Sequence, residues 1–418
     1  MFKVIETFSG IGSQAKALER IGIPFEIVHT AEWDIYSTLA YCLIHKGKLD
    51  VAKHEDVSDE KISEYLENMT LSSDGKSKIS PRFFNQISSN GKRLIYTAFK
   101  ETNNLGSVTD ITWEDVPEDI DLLTYSFPCQ DLSLCGFWHG NFTGIDRNSG
   151  NRSSLLWEIE RLLYEIKRKK RSLPRFLVME NVKALLSNMH RENFQMWQDE
   201  LEQLGYLNHI YCLNALDFGV PQKRQRVYMV SIYCGKNRKL RNQIKNYLSE
   251  HDLEINHEYE HRHLTLNDIL KTDYTNNVYR HEAMSVVPNS TVSRKQIYEE
   301  NDHLVQDNKI QNIVVKTLTT KQDRNPNSGV IDYPENLQIL GKSKFRYLTP
   351  RECFLLMGFD ERDYDVLVKN NINLTKHNKR SAFTNERLTK MAGNSIVVDV
   401  LEVLFKQLID INETFFSE

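Results

Sequence analysis

The strongest constraint on how this chain folds is an apolar run that stops at a turn and there presents a single reactive side chain. That run is Leu122-Leu123-Thr124-Tyr125-Ser126-Phe127-Pro128-Cys129-Gln130-Asp131-Leu132-Ser133. Its first residues read as a buried parallel strand, and Pro128 ends it. The Cys129 thiol is thereby delivered to the crevice at the carboxyl edge of a sheet, where open α/β folds hold their ligands. Cys129 reads either as a nucleophile or as a buried structural cysteine, and Pro128-Cys129-Gln130 alone is too short to decide.

Other stretches repeat the pattern. Residues 2–8 are apolar and β-branched, Gly10 and Gly12 come next, and Ala15, Leu18 and Ile21 recur at helical spacing before Gly22, which predicts strand, tight turn and helix. Glycines there let backbone approach a ligand, and free N–H groups at a helix start favour polar or anionic groups. A second strand, Glu26 to Ala31, ends in Glu32-Trp33-Asp34. A carboxylate just beyond the second strand of a doubly wound sheet suits ribose hydroxyls, and Trp33 offers a face for stacking or for core packing. A third, Arg175 to Met179, ends in Glu180-Asn181-Val182, where Glu180 is either a catalytic carboxylate or the cap of a following helix. Residues 209–216 and 226–233 flank the turn Asp217 to Pro221, and Arg224 and Arg226 point to one face if both lie on a strand.

With 40% hydrophobic and 26% charged residues over 418, the chain is an ordinary globular protein long enough for two domains. Its formal net charge of −4 excludes a global basic field, so any nucleic-acid contact has to come from local clusters. Cysteines at 42, 129, 135, 212, 234 and 353 form no Cys-x-x-Cys pair, which argues against a zinc site or disulfide framework and for a reducing cytoplasm, with no metal. The amino terminus runs directly into the first strand, and neither a signal peptide nor an apolar span of membrane length is expected.

Between the strands, residues 47–108 lose periodicity and read as a surface insertion, a solvated loop with a small apolar anchor. The polar stretch from Asp131 to Arg152 reads as a lid beside Cys129. A helix from Ser154 to Tyr164 ends in the cations of 167–171, which fit a solvated helix end. Thr349, Pro350 and Glu352 form a capping-box pattern, and the last helix starts near Met391 with Val400, Leu401 and Leu404 on its apolar face.

Taken in order, Phe8-Ser9-Gly10-Ile11-Gly12, Glu32-Trp33-Asp34, Pro128-Cys129-Gln130, Glu180-Asn181-Val182, Gln222-x-Arg224-x-Arg226, Leu348-Thr349-Pro350-Arg351-Glu352 and Gly393-Asn394-Ser395 make the chain similar to the DNA cytosine-5 methyltransferases of bacterial restriction-modification type. That resemblance implies a doubly wound, Rossmann-like S-adenosylmethionine-dependent methyltransferase domain with a smaller mixed target-recognition domain. The divisions expected are 1–235 for catalysis and cofactor, 236–343 for target recognition, and 344–418 returning to the first domain. By resemblance, Phe8, Gly10 and Gly12 line the cofactor pocket, with Ser13 where a second glycine is common. Glu32 takes the ribose, Trp33 the adenine and Asp110 the adenine amino group. Ile111, Pro128, Leu155, Asn394 and Ser395 complete the pocket.

Cys129 and Glu180 are then the catalytic thiol and carboxyl, with Arg224 and Arg226 on the target base. Gln130 and Ser133 contact DNA, and Thr317-Leu318 matches a Thr-Leu pair near the end of the recognition region. The expected reaction is sequence-specific methylation of cytosine carbon-5 in double-stranded DNA by covalent thiol addition to an everted base. The expected enzyme is a monomer protecting host DNA beside a cognate restriction endonuclease. A tRNA cytosine-5 methyltransferase and a non-catalytic DNA-binding relative are the alternatives. The first lacks so large a recognition region, and the second loses residues that are present here.

Overall fold

A computed structural model describes residues 1–128, 155–256, 259–376 and 381–416. Its centre is a six-stranded sheet built from β1 (Phe2–Thr7), β2 (Phe25–Ala31), β3 (Leu122–Tyr125), β4 (Phe176–Val182), β5 (Tyr206–Asn214) and β7 (Gln225–Tyr233), with the two-residue β6 (Gln222–Lys223) just before the last. The strand order is β2-β1-β3-β4-β7-β5. Neighbours among β1 to β4 run parallel, while β7 is antiparallel to both β4 and β5.

The chain leaves β1 to one side for β2 and to the other for β3, which makes the β1–β3 boundary a switch point. Register brings the strand ends level there. Thr7 pairs with Ala31 and with Tyr125, and Tyr125 pairs with Met179.

Alternation along the strands feeds two cores. Val4, Leu122, Phe176 and Val178 face one side, with Ala17 and Leu18 of α1 (Ser13–Ile21) and Leu401, Leu404 and Leu408 of the helix Val398–Phe415. Ile5, Leu123, Leu177 and Met179 face the other, against the helices Leu156–Arg168 and Arg191–Leu204. This is the doubly wound α/β fold that the sequence predicts. Among the described residues no helix is long and apolar enough to cross a membrane.

Buried charge joins the chain ends. Lys16 Nζ lies 2.9 Å from Asp363 and 2.8 Å from Asp360, Arg20 reaches Asp360 at 2.8 Å and Glu402 at 2.9 Å, and Arg262 clasps Asp399 at 2.8 Å. The first helix is thus tied to the carboxyl-terminal part of the chain by side chains that carry each other's charge out of water.

A second, smaller sheet has the order β12-β11-β8-β9, from β8 (His303–Gln306), β9 (Lys309–Ile310), β11 (Val330–Asp332) and β12 (Phe345–Arg346). Between them β10 (Val315–Lys316) pairs with β6, docking this part against the arginine-bearing turn. The capping box forms as predicted: Glu352 accepts from Thr349 N at 2.7 Å and donates its own N–H to Thr349 Oγ1 at 3.2 Å. Glu352 also pairs with the fully buried Arg346 at 2.8 Å, which no local pattern announces.

Two expectations need correction. Residues 47–108 are not a solvated loop: they carry helices Asp59–Glu67, Pro81–Gln86 and Ser89–Glu101, and Ile62, Leu66, Phe84, Ile95 and Phe99 are buried in the main core. Short amphipathic helices separated by polar turns dilute the apolar signal over any long window. The stretch after Tyr233 also opens on the main sheet's side. The helix Arg238–Glu250 buries Ile244 and Leu248 there, and Tyr247 meets Phe415 edge-on at 5.8 Å. The expected lid, 131–152, lies outside the described residues.

Candidate active site

Because β1 to β4 end level, the turns leaving these strands converge on one cavity of about 1150 Å³. After β1, Phe8 and Gly10 both take positive φ, of 55° and 56°, and the turn hands the chain to α1. Phe8, Ser9, Gly10 and Ile11 line the cavity. Gly12 does not: a Cβ there would stand 2.1 Å from His45 Nε2, so this glycine admits the packing of α2 (Ile35–Lys46).

After β2, Glu32 accepts from Gly10 N at 3.0 Å and from Asp34 N at 2.8 Å, so its carboxyl is held against the glycine turn. Burial, reinforced by Asp34, pushes it up to about 7. Asp34 caps α2 through Tyr36 N and Ser37 N, and Trp33 stands between the two carboxyls on the cavity wall.

After β3, Ser126, Phe127 and Pro128 line the cavity, and Asn181 Nδ2 donates to Phe127 O at 3.1 Å, pinning that turn to β4. Cys129, Gln130 and Ser133 lie outside the described residues. Glu180 faces the cavity from β4, 3.4 Å from Arg226 Nε. Their strands pair Glu180 with Tyr228 and Val182 with Arg226, so the two side chains share a face as diagonal neighbours. Burial raises the Glu180 carboxyl, opposed by Arg226 and Arg224.

Arg224 and Arg226 both reach the cavity, though not as an equivalent pair on one strand. Arg224 sits between β6 and β7, and its guanidinium donates to Leu318 O at 2.8 Å and to Gly393 O and Ser395 O at 3.0 Å each. Leu318 is fixed reciprocally: its N–H donates to Gln222 Oε1 at 2.9 Å, and Thr317 Oγ1 donates to Lys223 O at 2.6 Å.

Family comparison agrees with this geometry. A model of the C-5 cytosine-specific DNA methylase family matches residues 65–410. The chain belongs to that family. The methylase is 34% identical to the type II methyltransferase M2.ScrFI of Lactococcus lactis subsp. cremoris, over 98% of this chain and 99% of that one. It is also 34% identical to the orphan methyltransferase M.SssI of Spiroplasma monobiae, over 97% of each. In fold it resembles the crystal structure of the S. pombe Dnmt2 methyltransferase, with a TM-score of 0.58 at 17% identity over 98% of this chain and 99% of that chain. It is a DNA cytosine-5 methyltransferase, and the tRNA and non-catalytic alternatives are not favoured.

Of the residues singled out in sequence, the methylase gathers Phe8, Gly10, Glu32, Trp33, Pro128, Leu155, Glu180, Arg224, Arg226, Asn394 and Ser395 around one cavity. Asp110 and Ile111 are not on its wall. Ile111 is buried in the core, and the Asp110 carboxylate accepts from Thr70 N at 3.1 Å and Thr70 Oγ1 at 3.2 Å. In their place Ser107, Val108 and Thr109 line the cavity. Sequence reasoning missed Thr70, Asp74, Arg387 and Lys390, which also line it. Arg387 lies 3.8 Å over the Tyr36 ring. These four come from two segments about three hundred residues apart, and no local signal marks them.

Proposed function

We propose that the methylase binds S-adenosylmethionine and a cytosine everted from double-stranded DNA at opposite ends of this one cavity, with Cys129 as nucleophile and Glu180 as the acid on the ring. The observation that carries this is continuity: one space runs from Gly10, Glu32 and Trp33 to Pro128, Glu180 and Arg226. Its volume exceeds the ~300–1,000 Å³ that a single small ligand needs. The residues fit the cofactor. A desolvated carboxyl anchored on two backbone amides suits ribose hydroxyls, an indole suits adenine, and a glycine turn with positive φ lets backbone come close.

Bound there, the cofactor supplies an electrophilic methyl group. Cytosine carbon-5 is a poor nucleophile until a thiolate adds to carbon-6. Cys129 comes directly after Pro128 at the cavity wall and serves as that thiolate. Glu180, on the cavity wall, bonds the ring nitrogen and passes it a proton as negative charge develops there. Arg226, beside it, stabilises the ring carbonyl oxygen. After transfer, water takes the carbon-5 proton, the carbon-5–carbon-6 double bond re-forms, Cys129 leaves as thiolate and the ring nitrogen returns its proton to Glu180. A base inside a stacked duplex cannot reach this cavity, so eversion costs a few kcal/mol, which contacts along the DNA offset.

Residues after the helix Arg238–Glu250 and up to 343 read the target sequence, the part before them carries the chemistry, 344–418 return to it, and the chain acts as a soluble cytoplasmic monomer. M2.ScrFI is named a type II methyltransferase and M.SssI an orphan one, and we assign this chain the first role, protection against a partner nuclease. Labelled methyl transfer to duplex DNA, with tRNA as control, tests the substrate, and bisulfite sequencing of host DNA gives the site. DNA carrying 5-fluorocytosine tests the chemistry, because the fluorine cannot leave as a proton. A denaturation-stable adduct forms with the native chain and not with Cys129→Ala. An adduct or turnover with Cys129→Ala overturns the mechanism.

A further inference from the structure

Within the segment that reads as a surface insertion, residues 70–77 run along the cavity and are bonded to three other parts of the chain around it. Thr70, Ser73, Asp74 and Gly75 line the space directly. On one side the segment is bonded to the backbone around the indole: Ser72 N donates to Trp33 O at 2.7 Å, and Ile35 N donates to Ser72 O at 3.0 Å. At its start Thr70 gives both its N–H and its hydroxyl to the Asp110 carboxylate, which joins it to the wall segment 107–109. At its far end Asp74 O accepts from Lys390 Nζ, on the helix Asn385–Asn394.

The segment holds its own shape. Ser72 is fully buried, and its hydroxyl accepts from Gly75 N at 2.9 Å and donates to Ser77 O at 2.7 Å. Asp74 Oδ1 accepts from Lys76 N and Ser77 N at 2.8 and 2.9 Å. Gly75 takes a φ of +65°, and a Cβ on it would stand 3.3 Å from Asp34 and 3.4 Å from Lys390, so the strap passes between these side chains at contact distance.

We propose that residues 70–77 form the wall that closes over the adenosyl end of the cofactor, and that Asp110, Thr70, Ser72 and Lys390 are positioning residues that set cofactor affinity through this strap. The inference rests on the reading that this cavity holds S-adenosylmethionine. Trp33, Ser107 to Thr109 and the helix Asn385–Asn394 come from three distant parts of the chain, and the strap is the piece bonded to all three. Releasing it loosens them together. None of its residues is hydrogen-bonded or ion-paired to Glu180 or Arg226.

Titration of the full-length protein with S-adenosylhomocysteine tests this, alongside steady-state kinetics. Thr70→Val, Ser72→Ala and Lys390→Met each weaken binding and raise the cofactor KM by about tenfold, the size expected when one or two hydrogen bonds holding a wall are lost. Their kcat at saturating cofactor and KM for DNA stay within about twofold, a split that general loss of structure does not produce. Lys390→Arg restores affinity. Thr70→Val combined with Lys390→Met costs little more than the worse single change, because a strap freed at one end has less to lose at the other.

Asp110→Ala weakens S-adenosylhomocysteine and S-inosylhomocysteine by the same factor, whereas a residue reading the adenine amino group would lose only the preference between them. Unchanged affinity in the strap variants, with Glu32→Ala abolishing binding, overturns the strap proposal and leaves the cavity assignment standing. Unchanged affinity in Glu32→Ala as well overturns both.

Discussion

Burial raises two carboxyls of this methylase, Glu180 on the cavity wall and Glu6 inside the sheet. At Glu180 the charges of Arg226 and Arg224 oppose that rise. Glu180→Gln keeps a neutral donor of similar shape but no transferable proton. The expected result is a loss of kcat of about 10²–10⁴-fold with little change in DNA affinity, and single-turnover rates with gel-shift binding check it. An unchanged rate would reduce Glu180 to a structural group.

Glu6, on β1, is fully buried, with the Tyr41 hydroxyl and the Ala15 N–H beside its carboxyl. Burial pushes it from 4.5 up to about 8. The folded chain therefore keeps a proton that the unfolded chain releases. The stability this contributes is complete below about pH 4.5 and is lost as pH rises towards about 8, at up to ~1.4 kcal/mol per pH unit. In melts at pH 5 and pH 8, Glu6→Gln should lose less Tm over that window than the native chain. Parallel losses would show that Glu6 does not titrate there.

At the scale of elements, the turn between β5 and β7 is held by bonds that reach across the molecule. Gln222 binds Leu356 O and Leu318 N, and Arg224 binds carbonyls of Leu318, Gly393 and Ser395. Arg224→Met should therefore loosen the wall carrying Asn394 and Ser395, and raise the cofactor KM together with a lower kcat. Arg226→Met, which leaves those carbonyls alone, should lower kcat chiefly. A steady-state comparison of the two separates a clasp from a group acting on the base. The Gln-x-Arg-x-Arg spacing was legible in sequence, and so was the shared location. The division of labour was not, because it depends on which carbonyls lie within reach once β10 and the helix Asn385–Asn394 dock beside the turn.

Across the whole molecule, the first helix and the chain's end are joined by ion pairs largely shielded from water. Lys16 is fully buried, with Asp363 almost so, and removing one partner strands the other's charge. Lys16→Met should cost about 3–5 kcal/mol, seen as a lower denaturation midpoint, and Lys16→Met with Asp363→Leu should recover part of it because the Asp363 carboxylate is no longer stranded. A double variant no better than the single would mean the loss is one of packing alone.

Sequence alone determined the strands of the main sheet, the glycine turn and its helix, the capping box at Thr349 and most of the residues that meet at the sheet's edge. Each is written in neighbouring residues: alternation of apolar side chains, a cap three positions from its partner, or a turn residue ending a run. Only the tertiary structure decided that 47–108 is core, that Gly12 answers to His45, that Asp110 holds Thr70, and that Arg346 is buried against Glu352. The physical reason is range. Burial and hydrogen bonding between residues tens to hundreds of positions apart depend on which elements dock, and nothing in a local window records that choice.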